Sequence, residues 1–94
     1  TPTLIINTVS EYFNVRPEDV VSKKRNSEYV LPRQVSMYLC HILTDNSYAL
    51  IGKALGKKDH TTVLHGCNKI EDELKNNEEL QSKIDAILKK INPN

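Results

Sequence analysis

The stretch GKKDHTTVLH, residues 56–65, concentrates the side chains of this sequence that could do chemistry. It holds two lysines, one aspartate, two histidines and two threonines, which are residue types of acid–base centres, metal sites and phosphate-binding surfaces. A zinc hydrolase site is disfavoured, because HTTVLH lacks the acidic general base and the spacing of the H-E-x-x-H motif. Asp59 and His60 are only adjacent in sequence, so they do not form a positioned catalytic dyad. We therefore predict neither a catalytic nor a metal site here.

The charge along the chain suggests a large anionic partner. The net charge is +1, yet residues 1–21 sum to −2, residues 22–69 to +5 and residues 70–94 to −2. A basic middle between acidic ends predicts one face that meets a polyanion. An ordinary solvated surface, an acidic protein partner and an anionic membrane remain alternatives. Salt dependence does not separate the binding alternatives, because all of them weaken with salt.

The chain as a whole fits one small domain, residues 1–94. Because it begins with Thr1, we expect a piece of a longer protein. No apolar run approaches the length of a membrane span, and no signal-peptide pattern opens the chain. Cys40 and Cys67 are predicted to be buried thiols of a reducing compartment, since a disulfide framework would need more cysteines. Cys67 is therefore expected to fill space in the core and not to act as a nucleophile.

Apolar spacing predicts helices throughout, because only three glycines occur and no stretch alternates with period two. The predicted elements are a helix over residues 3–14 capped by Thr3, a short helix from Pro17 to near Val21, a basic loop over residues 22–30, a helix opened by Pro32 that ends near Thr44–Asn46, a helix from Ser47 to Gly56, a helix after Asp59, and a last helix through Leu80–Ile91. Core positions expected in the middle helices include Val35, Leu39, Ile42, Leu43, Leu50, Ile51, Ala54 and Leu55. Helices of this length are marginal alone, so packing must stabilise them.

The two helices joined by Gly56-Lys57-Lys58 have the arrangement of a helix-turn-helix over about residues 47–75. On a helical wheel of about 100° per residue, the apolar stripe of the second helix is Val63, Cys67, Ile70 and Leu74. The opposite positions are Thr61, His65, Asn68 and Lys69, whose polar groups bond phosphates or base edges. Asp72 lies on the same outer face and would repel phosphate. The predicted nucleic-acid surface is therefore the first turns of this helix.

Asp59 has two predicted roles. Its carboxylate can cap the helix by accepting a backbone N–H, or it can accept a hydrogen bond from a cytosine amino group. Both roles remain open from the sequence, because a carboxylate has two oxygens.

DHTTVLHGCNKI, with the preceding LIGKALGKK, resembles the signature of the C-terminal DNA-binding domain of the bacterial replication initiator family, DnaA. The matching positions are Asp59, His60, Thr61, Thr62, Val63, His65, Lys69 and Ile70. Upstream, SKKRNSEYVLPRQVSMYL and TVSEYFNV are similar to the basic loop, the P-R-Q helix and the first helix of that family. The resemblance covers residues 3 to about 75. It implies an all-α, Trp-repressor-like domain with a helix-turn-helix, cut from a longer AAA+ protein.

The resemblance also implies roles for individual residues. The base-contacting residues would be Arg25 in the minor groove and Asp59, His60 and Thr61 in the major groove. The phosphate contacts would be Lys23, Lys24, Arg33, Gln34, Ser47, Tyr48, Lys58, Thr62, His65 and Lys69. Three departures from the family pattern predict a softened affinity: Lys58 replaces an arginine, Ala49 replaces a proline, and Glu28 adds a negative charge near the basic residues.

The partner that the resemblance implies is double-stranded DNA carrying TTATNCACA-like boxes, with further copies of the parent protein on the replication origin. We expect a bacterial, cytoplasmic, nucleoid-associated protein without membrane contact. No enzyme activity and no cofactor or metal is expected in this piece, whereas ATP and Mg²⁺ are expected in an AAA+ domain of the parent. The alternative is a helical protein-interaction module that docks an acidic partner.

Overall fold

The computed structural model describes residues 1–93, and within them it contains only helices. In chain order these are α1 Pro2–Tyr12, α2 Pro17–Val20, α3 Ser27–Leu43, α4 Tyr48–Ala54, α5 His60–Leu74 and α6 Glu78–Ile91. The prediction of an all-helical fold is confirmed. No helix among residues 1–93 is long and apolar enough to cross a membrane.

Side-chain caps fix the starts of three helices. The Ser47 hydroxyl accepts a hydrogen bond from the Leu50 amide at 3.2 Å, as the sequence predicts for an N-cap. The side-chain oxygen of Asn77 (Oδ1) accepts a hydrogen bond from the Leu80 amide at 2.9 Å at the start of α6. At the start of α1 the predicted cap is wrong, because Thr1 and not Thr3 caps that helix.

Helix α3 begins earlier than predicted. Its first turn forms at Ser27, where the Asn26 carbonyl accepts hydrogen bonds from the amides of Tyr29 and Val30 at 2.9 and 3.1 Å. Pro32 therefore lies inside the helix and does not open it. A proline inside a helix removes one hydrogen bond and crowds the preceding turn, but the two hydrogen bonds to Asn26 and the packing of Leu31 against the core hold this extra turn. The predicted basic loop of residues 22–30 shrinks to residues 21–26, here named the α2–α3 loop.

The core receives buried side chains from all six helices and from Leu55 after α4. Its apolar members are Ile5, Ile6, Val9, Val20, Val35, Met37, Leu39, Cys40, Ile51, Leu55, Val63, Cys67, Ile70, Leu80, Ile84 and Ile87. The core positions predicted at Ile42, Leu43 and Leu50 are wrong, since these side chains are 47%, 43% and 51% exposed. The last turn of α3 and the start of α4 extend past the core.

Helices α3 and α5 cross at close range, and this contact holds α5 in place. A Cβ added at Gly66 would lie 2.6 Å from the Met37 sulfur. The absence of a side chain at Gly66 therefore leaves room for the Met37 side chain between the two helices. Because α3 also packs on α1 and α2, it connects α5 to the rest of the core.

Candidate nucleic-acid interface

Helices α4 and α5 form the helix-turn-helix, joined by a tight turn over residues 55–59. Gly56 and Lys57 both adopt positive φ angles, of 83° and 64°. The Lys58 amide donates to the Gly52 carbonyl at 2.8 Å, which closes the turn. A Cβ at Gly52 would collide with the Lys58 carbonyl oxygen. The turn therefore packs directly on α4 and fixes the direction in which α5 starts.

The two faces of α5 are divided as the helical wheel predicts. Val63, Cys67 and Ile70 are buried. The outer face of α5 consists of side chains that are all exposed, namely Thr61, Thr62, His65, Asn68 and Lys69. These groups bond phosphates or base edges, so the structure leaves the predicted contact face free.

At the start of α5, three exposed polar side chains lie close together. The Asp59 carboxylate lies 3.0 Å from His60 Nδ1, and His60 Nε2 lies 3.4 Å from the Thr61 hydroxyl. The carboxylate favours the tautomer with its proton on Nδ1, which leaves Nε2 to accept from Thr61. Asp59 occupies the N-cap position, but its side chain makes no capping hydrogen bond. The predicted capping hydrogen bond is therefore wrong, and the carboxylate lies beside the imidazole instead.

A groove of about 360 Å³ runs between α3 and α5. The predicted phosphate ligands that line it are Arg33 and Gln34 on α3 and Thr62, His65 and Lys69 on α5. The Lys69 ammonium lies 3.4 Å from the Glu73 carboxylate in an exposed pair, which stabilises little and leaves the charge available. The structure thus brings five of the predicted ligands, from two distant parts of the sequence, to one groove.

The α2–α3 loop presents Lys23, Lys24 and Arg25 as exposed side chains. Lys24 is not fully free, because its ammonium lies 2.7 Å from the Asp19 carboxylate and 5.5 Å from the centre of the Tyr29 ring. The hydrogen bond from Lys24 lowers the pKa of Asp19 below its usual value. Glu28 belongs to the first turn of α3 and not to this loop. A carboxylate there is favoured by the helix dipole.

Ser47 and Tyr48 lie at the start of α4, and Ser47 is exposed. The Tyr48 ring stacks on His41 with 4.9 Å between centroids, and the Tyr48 hydroxyl lies 3.5 Å from His41 Nε2. Sequence reasoning missed His41. The available signal was a polar ring in the last turn of α3, seven positions before Tyr48.

Two predicted phosphate ligands donate hydrogen bonds to backbone carbonyls in the structure. Arg33 is only 8% exposed, and its guanidinium donates to the carbonyls of Val20 and Asp19 at 2.6 and 3.1 Å. The Lys58 ammonium donates to three carbonyls at 2.8–2.9 Å. Desolvation lowers the pKa of Arg33, and desolvation with the nearby Arg33 charge lowers the pKa of Lys58. The three N–H donors of the Lys58 ammonium are all occupied, whereas Arg33 uses two of its five N–H groups and still lines the groove between α3 and α5.

Neither cysteine is available for chemistry at the surface. Cys40 and Cys67 are both buried, and desolvation raises the pKa of each thiol to about 11. A thiol is a nucleophile or a metal ligand only as the thiolate. In the part of the chain that the structure describes, no group of histidine, cysteine and acidic side chains is arranged to hold a metal ion.

Comparison with known proteins identifies relatives of this arrangement. A family model described as the bacterial dnaA protein helix-turn-helix matches residues 2–70. The chromosomal replication initiator protein DnaA of Lachnoclostridium phytofermentans is 47% identical over 93 residues, which is 99% of this chain and 20% of that protein. The DnaA protein of Oenococcus oeni is 48% identical over 93% of this chain and 19% of its own length. The DnaA protein of Treponema denticola is 40% identical over 100% of this chain and 20% of its own length.

A solved structure has the same fold. A crystal structure described as a DNA replication initiation factor superposes with a TM-score of 0.83 at 32% identity, over 95% of this chain and 27% of that one. The chain spans about a fifth of the length of the curated relatives it matches.

Proposed function

The chain belongs to the bacterial DnaA helix-turn-helix family, and on that premise we propose that it binds double-stranded DNA in the initiation of replication. Its target is a TTATNCACA-like box. The start of α5 enters the major groove, where Asp59, His60 and Thr61 contact base edges. Arg25 enters the neighbouring minor groove, which is narrow and electronegative in A·T-rich DNA.

The observation that carries the proposal is the outer face of α5. From Thr61 to Lys69 it is exposed and polar, and it adjoins a groove whose α3 side supplies Gln34. Phosphates along one DNA strand fit such a strip of hydroxyl, imidazole, amide and ammonium groups. Beyond it, Glu71, Asp72 and Glu73 would repel the backbone, so the contact ends within three turns of the helix start.

The phosphate ligands that we propose are fewer than the resemblance implies. They are Lys23, Lys24, Arg33, Gln34, Ser47, Tyr48, Thr62, His65 and Lys69. Lys58 is left out, because its three N–H groups already donate to carbonyls, whereas Arg33 donates only two of its five to carbonyls. Lys24 must also leave or share Asp19 to reach a phosphate.

The proposed setting is the bacterial cytoplasm, on the nucleoid, with further copies of the whole protein on the same origin. ATP and Mg²⁺ would bind a separate AAA+ part of that protein. A helix-turn-helix domain binds DNA without catalysing a reaction, so we propose no enzymatic step for this chain.

The proposed function is tested by titrating this chain against a TTATCCACA duplex and a scrambled duplex of equal composition, near physiological salt. Each mismatched pair costs about 1–3 kcal/mol, so several mismatches predict a preference of at least about 100-fold. Equal affinities would exclude sequence-specific binding. Polyglutamate serves as a competitor, and displacement of the chain from the box at low polyglutamate concentrations would favour the acidic-partner alternative.

Lys69→Ala separates phosphate contacts from base contacts. We expect weaker binding to both duplexes by a similar factor, and a slope of log K against log salt that is smaller by about 1. The matched control is Lys75→Ala, because Lys75 also lies on the surface and forms a similar pair with Asp72 at 3.7 Å, but beyond the proposed contact. A change in sequence preference with no change in salt slope would contradict the phosphate role of Lys69.

A further inference from the structure

Four consecutive backbone carbonyls at the end of α2 accept hydrogen bonds from two cationic side chains. The Arg33 guanidinium binds the carbonyls of Asp19 and Val20. The Lys58 ammonium binds those of Val21 and Ser22, at 2.9 and 2.8 Å. Helix α2 has only four residues, and carbonyls at a helix end have no partners within the helix. Positive charge is favoured there, so the two cations complete this helix end.

Lys58 differs from Arg33 in what it connects. Arg33 belongs to α3, the helix that follows the α2–α3 loop, whereas Lys58 belongs to the turn that starts α5. The ammonium also donates to the Leu55 carbonyl at 2.9 Å, inside its own turn. An ammonium has three N–H donors, and all three are used. Lys58 therefore joins the turn of the helix-turn-helix to carbonyls 36 and 37 positions earlier in the chain.

The contact between the turn and the α2–α3 loop is supported by a second observation. A Cβ built at Gly56 would collide with the Val21 carbonyl oxygen. The backbone of the turn therefore touches the same carbonyl to which Lys58 donates. Ser22 lies three positions before Arg25, the proposed minor-groove residue, so the position of Ser22 limits where Arg25 can reach.

We propose that Lys58 is a positioning residue that holds the α2–α3 loop in register with the start of α5, so that Arg25 and Asp59–Thr61 engage neighbouring grooves of one DNA site. The inference rests on the proposed function. Lys58 itself need not touch DNA. Lys58 sets the distance between Arg25 and the start of α5, because its donors join the α2–α3 loop to the turn before α5.

The test compares Lys58→Met with Arg25→Ala on three duplexes: the intact box, a box with its TTAT end replaced by G·C pairs, and a box with its CACA end replaced. Methionine retains an unbranched chain without donors. Discrimination at one end is the ratio of the affinities for the intact box and for the duplex with that end replaced. We expect Lys58→Met to lower this ratio about tenfold at the TTAT end and to leave it unchanged at the CACA end. If Lys58→Met only lowered the stability of the fold, binding measured well below the melting temperature would keep its discrimination at both ends of the box.

Two further variants test whether Lys58 acts through Arg25. Lys58→Met combined with Arg25→Ala should lose no more TTAT-end discrimination than Arg25→Ala alone, because residues acting as one unit are not additive. Lys58→Arg should restore most of the discrimination, since a guanidinium also donates to several carbonyls. If Lys58→Met does not fold, Lys58→Leu, which also has no donors, replaces it with the same expectation. Full TTAT-end discrimination in the folded variant, or additive losses, would overturn the proposal.

A measurement without DNA separates this inference from the proposed function. In Lys58→Met, the ¹⁵N heteronuclear NOE of the amides of residues 23–26 should fall, whereas Lys23→Met, an exposed lysine of the same loop, should leave it unchanged. An unchanged NOE in Lys58→Met would overturn the inference even where the parent chain prefers the box. If the parent chain shows no preference between duplexes, the proposed function fails, and the NOE still reports whether Lys58 holds the loop.

Discussion

Thr61→Ala is expected to remove most of the preference for the TTATCCACA duplex while leaving the fold intact. Thr61 is exposed at the second position of α5, and its methyl group can pack on a thymine methyl in the major groove. Loss of one base contact costs about 1–3 kcal/mol, and each 1.4 kcal/mol corresponds to about a tenfold change in affinity. Stability should change by less than about 0.5 kcal/mol, as at other surface positions. The measurement is the ratio of affinities for the box and the scrambled duplex.

The controls for Thr61 separate its methyl from its hydroxyl. Thr61→Val keeps the methyl, and Thr61→Ser keeps the hydroxyl that lies 3.4 Å from His60 Nε2. We expect Val to retain more selectivity than Ser. Thr62→Ala is the neighbouring contrast, since a phosphate contact should weaken both duplexes alike. The assignment of Thr61 would be wrong if Thr61→Ala lowered both affinities equally, or if Thr62→Ala were the variant that changed the preference.

His60→Ala should change selectivity in the same direction, and its effect should not add to that of Asp59→Ala. The Asp59 carboxylate holds the imidazole at 3.0 Å, so removing either partner disturbs one shared arrangement.

Gly56→Ala is expected to be the most destabilising single-methyl substitution in the helix-turn-helix. The φ angle of 83° places this residue in the left-handed region, which costs an L-residue about 1–2 kcal/mol. The new Cβ would also collide with the Val21 carbonyl oxygen, which is backbone and cannot rotate away. Overpacking of this kind costs about 1–3 kcal/mol more. The expected fall in melting temperature is at least about 10 °C, followed by circular dichroism at 222 nm.

Lys57→Gly is the matched control for Gly56→Ala. Lys57 has a φ of 64° in the same turn and is exposed. Glycine relieves the left-handed strain but increases the freedom of the unfolded chain, so stability should stay within about 1 kcal/mol of the parent. A melting temperature unchanged by Gly56→Ala would show that the turn and Val21 can separate without cost. The same result would weaken the case for a fixed contact between the turn and the α2–α3 loop.

Most of the fold could be predicted from the sequence where the pattern is local. The stripe of Val63, Cys67 and Ile70 repeats with helical period, and the Ser47 cap is a short-range signal; the structure confirms both. Predictions were wrong where helix ends meet solvent or a proline. Ile42 and Leu43 follow the apolar period of α3 but lie past the edge of the core. Pro32 suggested a helix start, yet the amides of Tyr29 and Val30 donate to the Asn26 carbonyl and extend the helix upstream.

The sequence by itself determined that the chain forms amphipathic helices with a helix-turn-helix, and that the start of α5 carries polar groups fit for DNA. These properties depend on residue type and on spacings of three or four positions, and both can be read directly from the sequence. Only the tertiary structure decided which cations remain free. Lys23, Lys58 and Lys69 look equivalent as lysines, but the acceptors of Lys58 include Val21 and Ser22, 37 and 36 positions away. Such acceptors become neighbours only after the helices have packed, which is why sequence reasoning placed the Lys58 ammonium on DNA and the structure places it on the protein backbone.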